Sequence, residues 1–311
     1  MIKDFEANEE LYGERFLIAN VLRGVNNSGT PYLSITLQDK TGTIEAKKWE
    51  VENNDYDICV PGNVIRLDGV TYLYREQMQI KIFKILLVKE DEYRLDDFIQ
   101  RPPYDLKKYE KELEECISFV KDKDYHALLV SLFDDYKNKF ISYPAASKNH
   151  HDFSGGLLVH TIHMTRLAKA IQALYPSLDI DILLTGVLLH DLGKVIEFSG
   201  PILSKYTNEG RLVGHISIGH AIISERAKTL NIDEEARIII EHLILSHHGK
   251  KDYGSPVEPM IKEAVVLNMI DDLDARMDML EKALHEVKGG EWSQKIFAFD
   301  DRMFYQPKKK H

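Results

Sequence analysis

The chain has 311 residues, a formal net charge of −10 and a hydrophobic content of 44%. This length exceeds the roughly 100–200 residues of a typical domain, and the apolar content is sufficient to bury a sizeable core, so two domains are expected. The acidic balance argues against a general polyanion-binding surface, although a local cationic groove is compatible with it.

Secretion and membrane anchoring are not predicted. The chain starts with the polar, acidic stretch MIKDFEANEE, and no apolar run approaches the ~18 residues that a membrane-spanning helix needs. The two cysteines, Cys59 and Cys116, are far apart and lie outside any CxxC spacing, which favours neither a disulfide framework nor a zinc ribbon. A reducing cytoplasm is therefore the expected compartment.

The N-terminal part of the chain has the alternating apolar and polar pattern of β-strands. The pattern predicts strands at about residues 15–25, 32–38, 42–49, 63–74 and 78–88. Leu33, Ile35 and Leu37 share one face of the second strand, and residues 39–42 (DKTG) supply turn residues for a hairpin. Five short strands in roughly 75 residues fit a small closed barrel of the OB type.

After the predicted barrel the spacing of apolar residues changes to the helical period. Residues 91–105 are polar and include Arg101-Pro102-Pro103, which predicts a linker. Helical blocks follow, starting near residues 106, 156, 180, 219, 234 and 261. The expected fold class is thus a multidomain β plus all-α protein, with a barrel over residues 1–90, a linker over 91–105 and an all-helical domain over 106–311 whose core spans about 145–285.

The chain has thirteen histidines, and most of them lie between His150 and His248. Several sit with aspartates in apolar helical stretches, where such groups are costly unless they are paired or bound to a metal. These candidate metal ligands are His160, His190, Asp191, His215, His247, His248 and Asp271. Imidazole and carboxylate without thiolate suit Mn, Fe, Co, Ni or Zn better than Mg or Ca.

The number of candidate ligands exceeds what one ion needs, so we expect two ions about 3.5 to 4 Å apart, bridged by Asp191. Lys194 follows Asp191 in HDLGK by about one helical turn, and we assign it to stabilising charge on a substrate phosphate. A plain surface lysine is the alternative. Asp191 and Lys194 are therefore the expected catalytic residues.

Further substrate contacts are expected at two places. His150 and His151 precede the turn that opens the helix bearing His160, and they either contact a phosphate or cap that helix. His163 either orients a ligand or packs, and His220 is interpreted as structural. In the barrel, cationic and aromatic residues could track and stack a single strand, although strand aromatics are often core residues. The barrel candidates are Arg66, Arg75, Lys81, Tyr72 and Tyr74.

The series His160, His190-Asp191, His215, His247-His248 and Asp271 resembles the HD superfamily of phosphohydrolases over roughly residues 145–285. This resemblance implies an all-helical fold in which His160, His190, Asp191 and Asp271 hold one ion. It also implies that His215 and His247, with His248 as a further candidate, complete a second site.

The order of barrel, proline-containing linker, YPAASKNHHDFSGGLLVHT and HD domain resembles the bacterial YhaM family of 3′-to-5′ exoribonucleases over nearly the whole chain. That resemblance implies Mn-dependent removal of nucleotides from the 3′ end of single-stranded RNA, with single-stranded DNA also accepted. Two alternatives stay open: a phosphohydrolase of small nucleotides or cyclic dinucleotides with a regulatory or oligomerising barrel, and a nucleic-acid-binding factor with a vestigial HD site.

Overall fold

The computed structural model describes residues 1–26, 28–75, 77–99, 104–146, 151, 153–201, 204–285 and 287–308. The chain divides into two compact units, Met1–Arg101 and Pro102–His311. The first is a β-barrel and the second is helical, so the predicted fold class is confirmed. None of the described helices combines the length and the apolar character that crossing a membrane requires.

The first unit is a closed barrel with the strand order β1-β2-β3-β5-β4. Its strands are β1 (Glu10–Val25), β2 (Pro31–Asp39), β3 (Gly42–Trp49), β4 (Val64–Tyr74) and β5 (Gln77–Leu87). All neighbours are antiparallel except β3 and β5, which run parallel. Five strands closed in this Greek-key order form the OB-fold that the alternating pattern predicted.

Two details of the barrel differ from the prediction. Strand β1 begins at Glu10 rather than near residue 15, because a register shift between Leu11 and Glu14 lets Leu11 enter the core, and Gly13 takes φ +67° at that bulge. A short helix, α1 (Asn53–Ile58), was not predicted. Its start is fixed by a capping box in which the side chains of Glu52 and Asp55 accept each other's backbone N–H.

Residues 90–99, most of which belong to the predicted linker, pack on the barrel. They form two short 3-10 turns, Glu90–Glu92 and Leu95–Asp97, and Phe98 is buried. The Gln38 side-chain amide donates to the Phe98 carbonyl at 3.1 Å, and Arg15 donates to the Glu92 carbonyl. This segment therefore adds to the barrel rather than leaving it at residue 90.

The second unit is a bundle of helices around one apolar core. Its helices are α2 (Leu106–Phe119), α3 (Lys123–Phe140), α4 (Gly156–Leu174), α5 (Ile180–Leu189), α6 (Lys194–Glu197), α7 (Asn208–Val213), α8 (His215–Thr229), α9 (Glu234–Ser246) and α10 (Lys262–His285). The predicted blocks correspond to six of these, whereas α3, α6 and α7 were not singled out.

Helix α5 is the centre of this unit. Asp179 caps its N-terminus by accepting from the backbone N–H groups of Asp181 and Ile182, and every residue from Leu183 to Leu189 is buried. Helices α3, α4, α9 and α10 pack around it. The residues that directly follow α5 are consequently held in the middle of the bundle.

Candidate metal centre

The seven predicted metal ligands come from five elements that meet at the C-terminal end of α5. His160 lies on α4, His190 and Asp191 directly follow α5, and His215 is the first residue of α8. His247 and His248 directly follow α9, and Asp271 lies on α10. The fold therefore brings side chains that are up to 111 positions apart, such as His160 and Asp271, to within 3.3 Å.

A first donor group consists of His160, His190 and Asp191, which each offer an atom within 4.8 Å of the others. The Nε2 atom of His190 lies 3.3 Å from Asp191 Oδ2, and His160 Nε2 lies 3.8 Å from the same oxygen. Asp271 joins this group through the contact between its Oδ1 and His160 Nε2. All four side chains point into one small volume.

A second donor group consists of His215, His247 and His248, again with donor atoms within 4.8 Å of one another. It faces the other oxygen of Asp191: Oδ1 lies 3.6 Å from His215 Nε2 and 3.9 Å from His247 Nε2. The two oxygens of Asp191 are thus divided between the two groups. This is the arrangement that a carboxylate bridging two ions requires.

In three of the histidines, the hydrogen bond made by one ring nitrogen shows that the other nitrogen is available to a metal ion. His190 Nδ1 lies 2.8 Å from the Val187 carbonyl, His247 Nδ1 2.6 Å from the Ile244 carbonyl, and His248 Nδ1 2.8 Å from the Tyr253 carbonyl. A carbonyl oxygen only accepts, so Nδ1 carries the proton in each ring and Nε2 keeps its lone pair. Hydrogen bonds of this type orient metal-binding histidines.

Several buried atoms at the centre lack a hydrogen-bond partner among the residues that the structure describes. They are Nε2 of His190, His215 and His247 and Oδ1 of Asp191. A buried polar atom left unsatisfied costs about 1–3 kcal/mol, so four in one place call for a ligand. Imidazole nitrogens and carboxylate oxygens without thiolate fit divalent ions of the Mn, Fe, Co, Ni and Zn type.

Lys194 is buried beside Asp191, with its Nζ 2.6 Å from Asp191 Oδ2. Burial alone would raise the pKa of Asp191, but the neighbouring charge of Lys194 holds it well below its usual range. Burial would lower the pKa of Lys194, and Asp191 overcomes this and raises it. Both groups are therefore charged at neutral pH.

The surroundings shift the pKa values of His160 and His247 in opposite directions. Burial works against a charge on His160, yet its hydrogen bonds to Asp271 and Asp274 raise its pKa to about 10. Burial and the neighbouring His248 and His190 lower the pKa of His247 well below its usual value. His247 is therefore neutral and ready to bind, whereas a metal ion at His160 must displace a proton.

Two carboxylates next to the ligands were missed by the sequence analysis. Asp274, one turn after Asp271, accepts from His151 Nε2, His160 Nδ1 and His163 Nδ1 at 2.8, 2.7 and 3.1 Å. Glu197 Oε1 lies 3.1 Å from His215 Nδ1 and also accepts from the His215 backbone N–H. The i, i+3 spacing in DDLDAR was the available signal for Asp274, whereas Glu197 gave none.

The predicted substrate contacts His150 and His151 and the other two histidines considered, His163 and His220, lie in different surroundings. His150 lies outside the described residues. His151 is only 1% exposed and faces inward to Asp274. His163 links Asp274 to the Tyr109 hydroxyl, which lies 3.1 Å from its Nε2. His220 points elsewhere, 3.9 Å from Glu241.

In the barrel, Tyr72, Tyr74 and Lys81 lie on the outer face of β4 and β5. Tyr72 donates its hydroxyl to Gln79 on β5, and the Arg75 guanidinium lies 5.4 Å from the centre of the Tyr74 ring. Arg66 is nearer the other end of β4, opposite Arg15 of β1. Tyr72, Tyr74 and Arg75 thus lie towards one end of β4, Arg66 lies towards the other, and Lys81 pairs with Val70 between them.

The HD domain family model matches residues 157–276. The chain is 45% identical over 292 residues to the 3′-5′ exoribonuclease YhaM of Geobacillus sp. (strain WCH70), covering 94% of this chain and 90% of that protein. It is 43% identical over 299 residues to the 3′-5′ exoribonuclease YhaM of Bacillus subtilis (strain 168), covering 96% and 95%.

Among solved structures, the second OB-fold domain of replication protein A from Methanococcus maripaludis is 18% identical and covers 29% of this chain and 94% of that one, at a TM-score of 0.24. A likeness this slight has no bearing on function. The identity and coverage of the two exoribonucleases are decisive, and the chain belongs to the YhaM family.

Proposed function

We propose that the protein is a metal-dependent 3′-to-5′ exoribonuclease that hydrolyses the phosphodiester bonds of single-stranded RNA. The observation that carries the proposal is the sharing of Asp191 between two groups of buried and half-buried donors, with Oδ1 and Oδ2 facing different groups. The 3′-5′ exoribonuclease activity in the names of relatives that match over almost the entire chain supports this reaction.

The donors fit two divalent ions. His160, His190, Asp191 and Asp271 would hold the first, and His215, His247, His248 and Asp191 would hold the second. Bound there, divalent ions supply Lewis acidity to the phosphodiester and make a water molecule acidic enough to attack at neutral pH. Mn is the ion we favour, and Co, Fe, Ni and Zn have the same preference for mixed nitrogen and oxygen donors.

The chain's own residues have separate tasks at this centre. Asp191 holds the two groups of donors at a fixed separation through its two oxygens. Lys194 lies within hydrogen-bonding distance of Asp191 and has two further N–H groups, one of which can donate to a non-bridging phosphate oxygen. In a buried site such a fixed donor stabilises the negative charge that builds up in the transition state.

The barrel supplies a surface for a single strand. Its outer face over β2, β3 and β5 carries aromatic and cationic side chains, namely Tyr32, Trp49, Phe83, Lys47 and Lys81. Tyr32 and Trp49 are cross-strand partners with ring centres 4.8 Å apart, and Lys47 is paired in register with Lys81. Stacking on aromatics and backbone neutralisation by lysine is how OB-folds hold single strands.

Tyr72, Tyr74 and Arg75 on and beside β4 continue this face, so we propose them, together with Lys81, as strand contacts. Base stacking and phosphate contacts do not depend on the sugar, so we extend the proposal to single-stranded DNA. Two buried, unpaired cysteines are those expected of a protein of the cytoplasm, which is where we propose that it acts.

The decisive experiment uses 5′-labelled single-stranded RNA, with divalent metals added back one at a time to metal-free protein. We expect progressive shortening from the 3′ end with Mn, and loss of the reaction in Asp191→Asn. The matched control is Asp272→Asn, because Asp272 is an exposed residue of α10 that pairs with Arg276.

Two outcomes would contradict the proposal. RNA that stays intact while free nucleotides or cyclic dinucleotides are hydrolysed would assign the centre to small substrates. Full biological activity of Asp191→Asn would assign the protein to binding alone. To test the barrel separately, Trp49→Ala should weaken single-strand binding by about 1–3 kcal/mol at constant salt, as expected for the loss of one stacking contact.

A further inference from the structure

Asp274 is a buried carboxylate outside the expected ligand set that contacts three histidines. It is 7% exposed and accepts hydrogen bonds from three imidazoles. His160 is one of the three and also one of the expected ligands, and it meets Asp274 through Nδ1 while its Nε2 faces Asp271 and Asp191. Asp274 therefore contacts His160 on the ring nitrogen that faces away from the other expected ligands.

Helix geometry explains why His160 needs such a partner. His190 and His247 follow the ends of α5 and α9, where the last carbonyls have no intrahelical partner, and each ring donates to the carbonyl three residues before it. His160 lies inside α4, where backbone carbonyls are already bonded to N–H groups one turn on. Its Nδ1–H instead meets a side chain from another helix, Asp274 of α10.

The hydrogen bond to Asp274 determines the tautomer of His160. An ionised carboxylate only accepts, so every nitrogen that faces Asp274 carries a proton. His160 is thereby protonated on Nδ1, and its other nitrogen is the one left for a metal ion. The position of Asp274 is itself constrained, because His163 donates Nδ1–H to it and accepts at Nε2 from the Tyr109 hydroxyl.

The cluster of His151, His163 and Asp274 also has the composition of a metal site. Its nitrogen-to-oxygen distances of 2.8 and 3.1 Å are those of hydrogen bonds. Both donors would have to release their protons before an ion could bind. The geometry therefore favours a hydrogen-bonded support over a third ion.

We propose that Asp274 is a positioning residue that sets the tautomer and ring orientation of His160, and thereby the affinity of the first metal position. The inference rests on the proposed metal-dependent function. Carboxylates behind metal-binding histidines also raise ligand basicity, and removing such a partner typically weakens metal binding by about 10–100-fold.

The test is Mn²⁺ titration of metal-free full-length protein by calorimetry, without RNA. In Asp274→Asn we expect one of the two Mn²⁺ dissociation constants to rise by about 10–100-fold and the other to stay within a few-fold. High Mn²⁺ should restore much of the RNA degradation. Asp272→Asn on the same helix is the control and should bind both ions like the wild type.

The outcomes separate this inference from the proposed function. Wild-type protein that binds no divalent ion would refute both. Wild-type protein that binds two ions, together with unchanged affinities in a folded Asp274→Asn, would refute the role of Asp274 alone.

A measurement without a substitution at Asp274 covers the case in which that variant does not fold. In ¹⁵N-histidine NMR of the Zn²⁺-loaded wild type, the ring resonances that vanish in His160→Gln should show a proton on Nδ1 and metal on Nε2. The reverse assignment would overturn the inference.

Discussion

Two backbones approach each other closely at Gly193, in the turn that follows His190 and Asp191. Its φ of −60° suits any residue, so alanine would meet no backbone strain. The obstacle is space, because a Cβ there would lie 2.1 Å from the His215 carbonyl oxygen and 2.7 Å from the Gly219 nitrogen. The turn and the start of α8 would have to separate by about 1 Å to reach van der Waals contact.

His215 begins α8, and its Nε2 is now 3.6 Å from Asp191 Oδ1. We therefore expect Gly193→Ala to move the second donor group away from the first. A misplacement of about 1 Å costs on the order of 100-fold in rate, and overpacking costs about 1–3 kcal/mol of stability. Turnover of labelled RNA at saturating Mn and the unfolding free energy from denaturant titration measure the two effects.

Gly219→Ala is the matched control, since it lies on the other side of the same contact. Its Cβ would come no closer than 3.3 Å to the Gly193 nitrogen, and alanine is favoured over glycine inside a helix by about 1 kcal/mol. We expect its activity to stay within a few-fold of wild type. Wild-type activity and stability in Gly193→Ala would refute the argument that this contact holds His215 beside Asp191.

Three further predictions concern single side chains. Lys194→Met should lower kcat by about 100- to 1,000-fold while calorimetry still detects both Mn ions. A kcat equal to that of the wild type would show that Lys194 takes no part in the reaction. Hydrogen bonds from Arg166 lower the pKa of Glu112, so the stabilisation that they give is present above the unfolded pKa and is lost as the pH falls through the folded pKa. Glu112→Gln should therefore lower Tm slightly at pH 7, the difference should shrink as the solution is acidified through the folded pKa, and a pH-independent difference would contradict this. Burial raises the pKa of Cys59 to about 12, so a thiol reagent at pH 8 should not label it until guanidinium is added, and rapid labelling of that position would contradict its burial.

The barrel was predictable because one face of each strand is buried, and this burial imposes strict alternation on the sequence. In β2, for example, Leu33, Ile35 and Leu37 are all buried while their neighbours are not. Helix α1 escaped prediction because it is only six residues long and is started by Glu52 and Asp55, without a serine or threonine cap.

The ligand candidates could be recognised because burying imidazole and carboxylate groups in apolar helices is costly unless they are paired or bind a metal. Their division into two groups was implied only by the family resemblance, because the residues alone do not show which way the Asp191 oxygens face. Asp271 and Asp274 also illustrate this limit: both lie on one face of α10, and only packing against α4 decides that Asp271 meets His160 Nε2 and Asp274 meets Nδ1.

Each donor group contains one histidine that is oriented by a carboxylate: His160 by Asp274 and His215 by Glu197. The other histidines of both groups are oriented by backbone carbonyls, which no substitution removes. If the two ions bind at separate positions, the two carboxylates should tune them separately. Glu197→Gln should then raise the Mn²⁺ dissociation constant that Asp274→Asn leaves unchanged, by about 10–100-fold.

The double variant tests this independence directly. Because the two carboxylates act on different ligands, the losses in binding free energy of Glu197→Gln and Asp274→Asn should add within about 0.5 kcal/mol. A coupling clearly larger than that would mean that the two ions bind as one unit through Asp191. Weakening of the same single site by both substitutions would mean that the donors form one position rather than two.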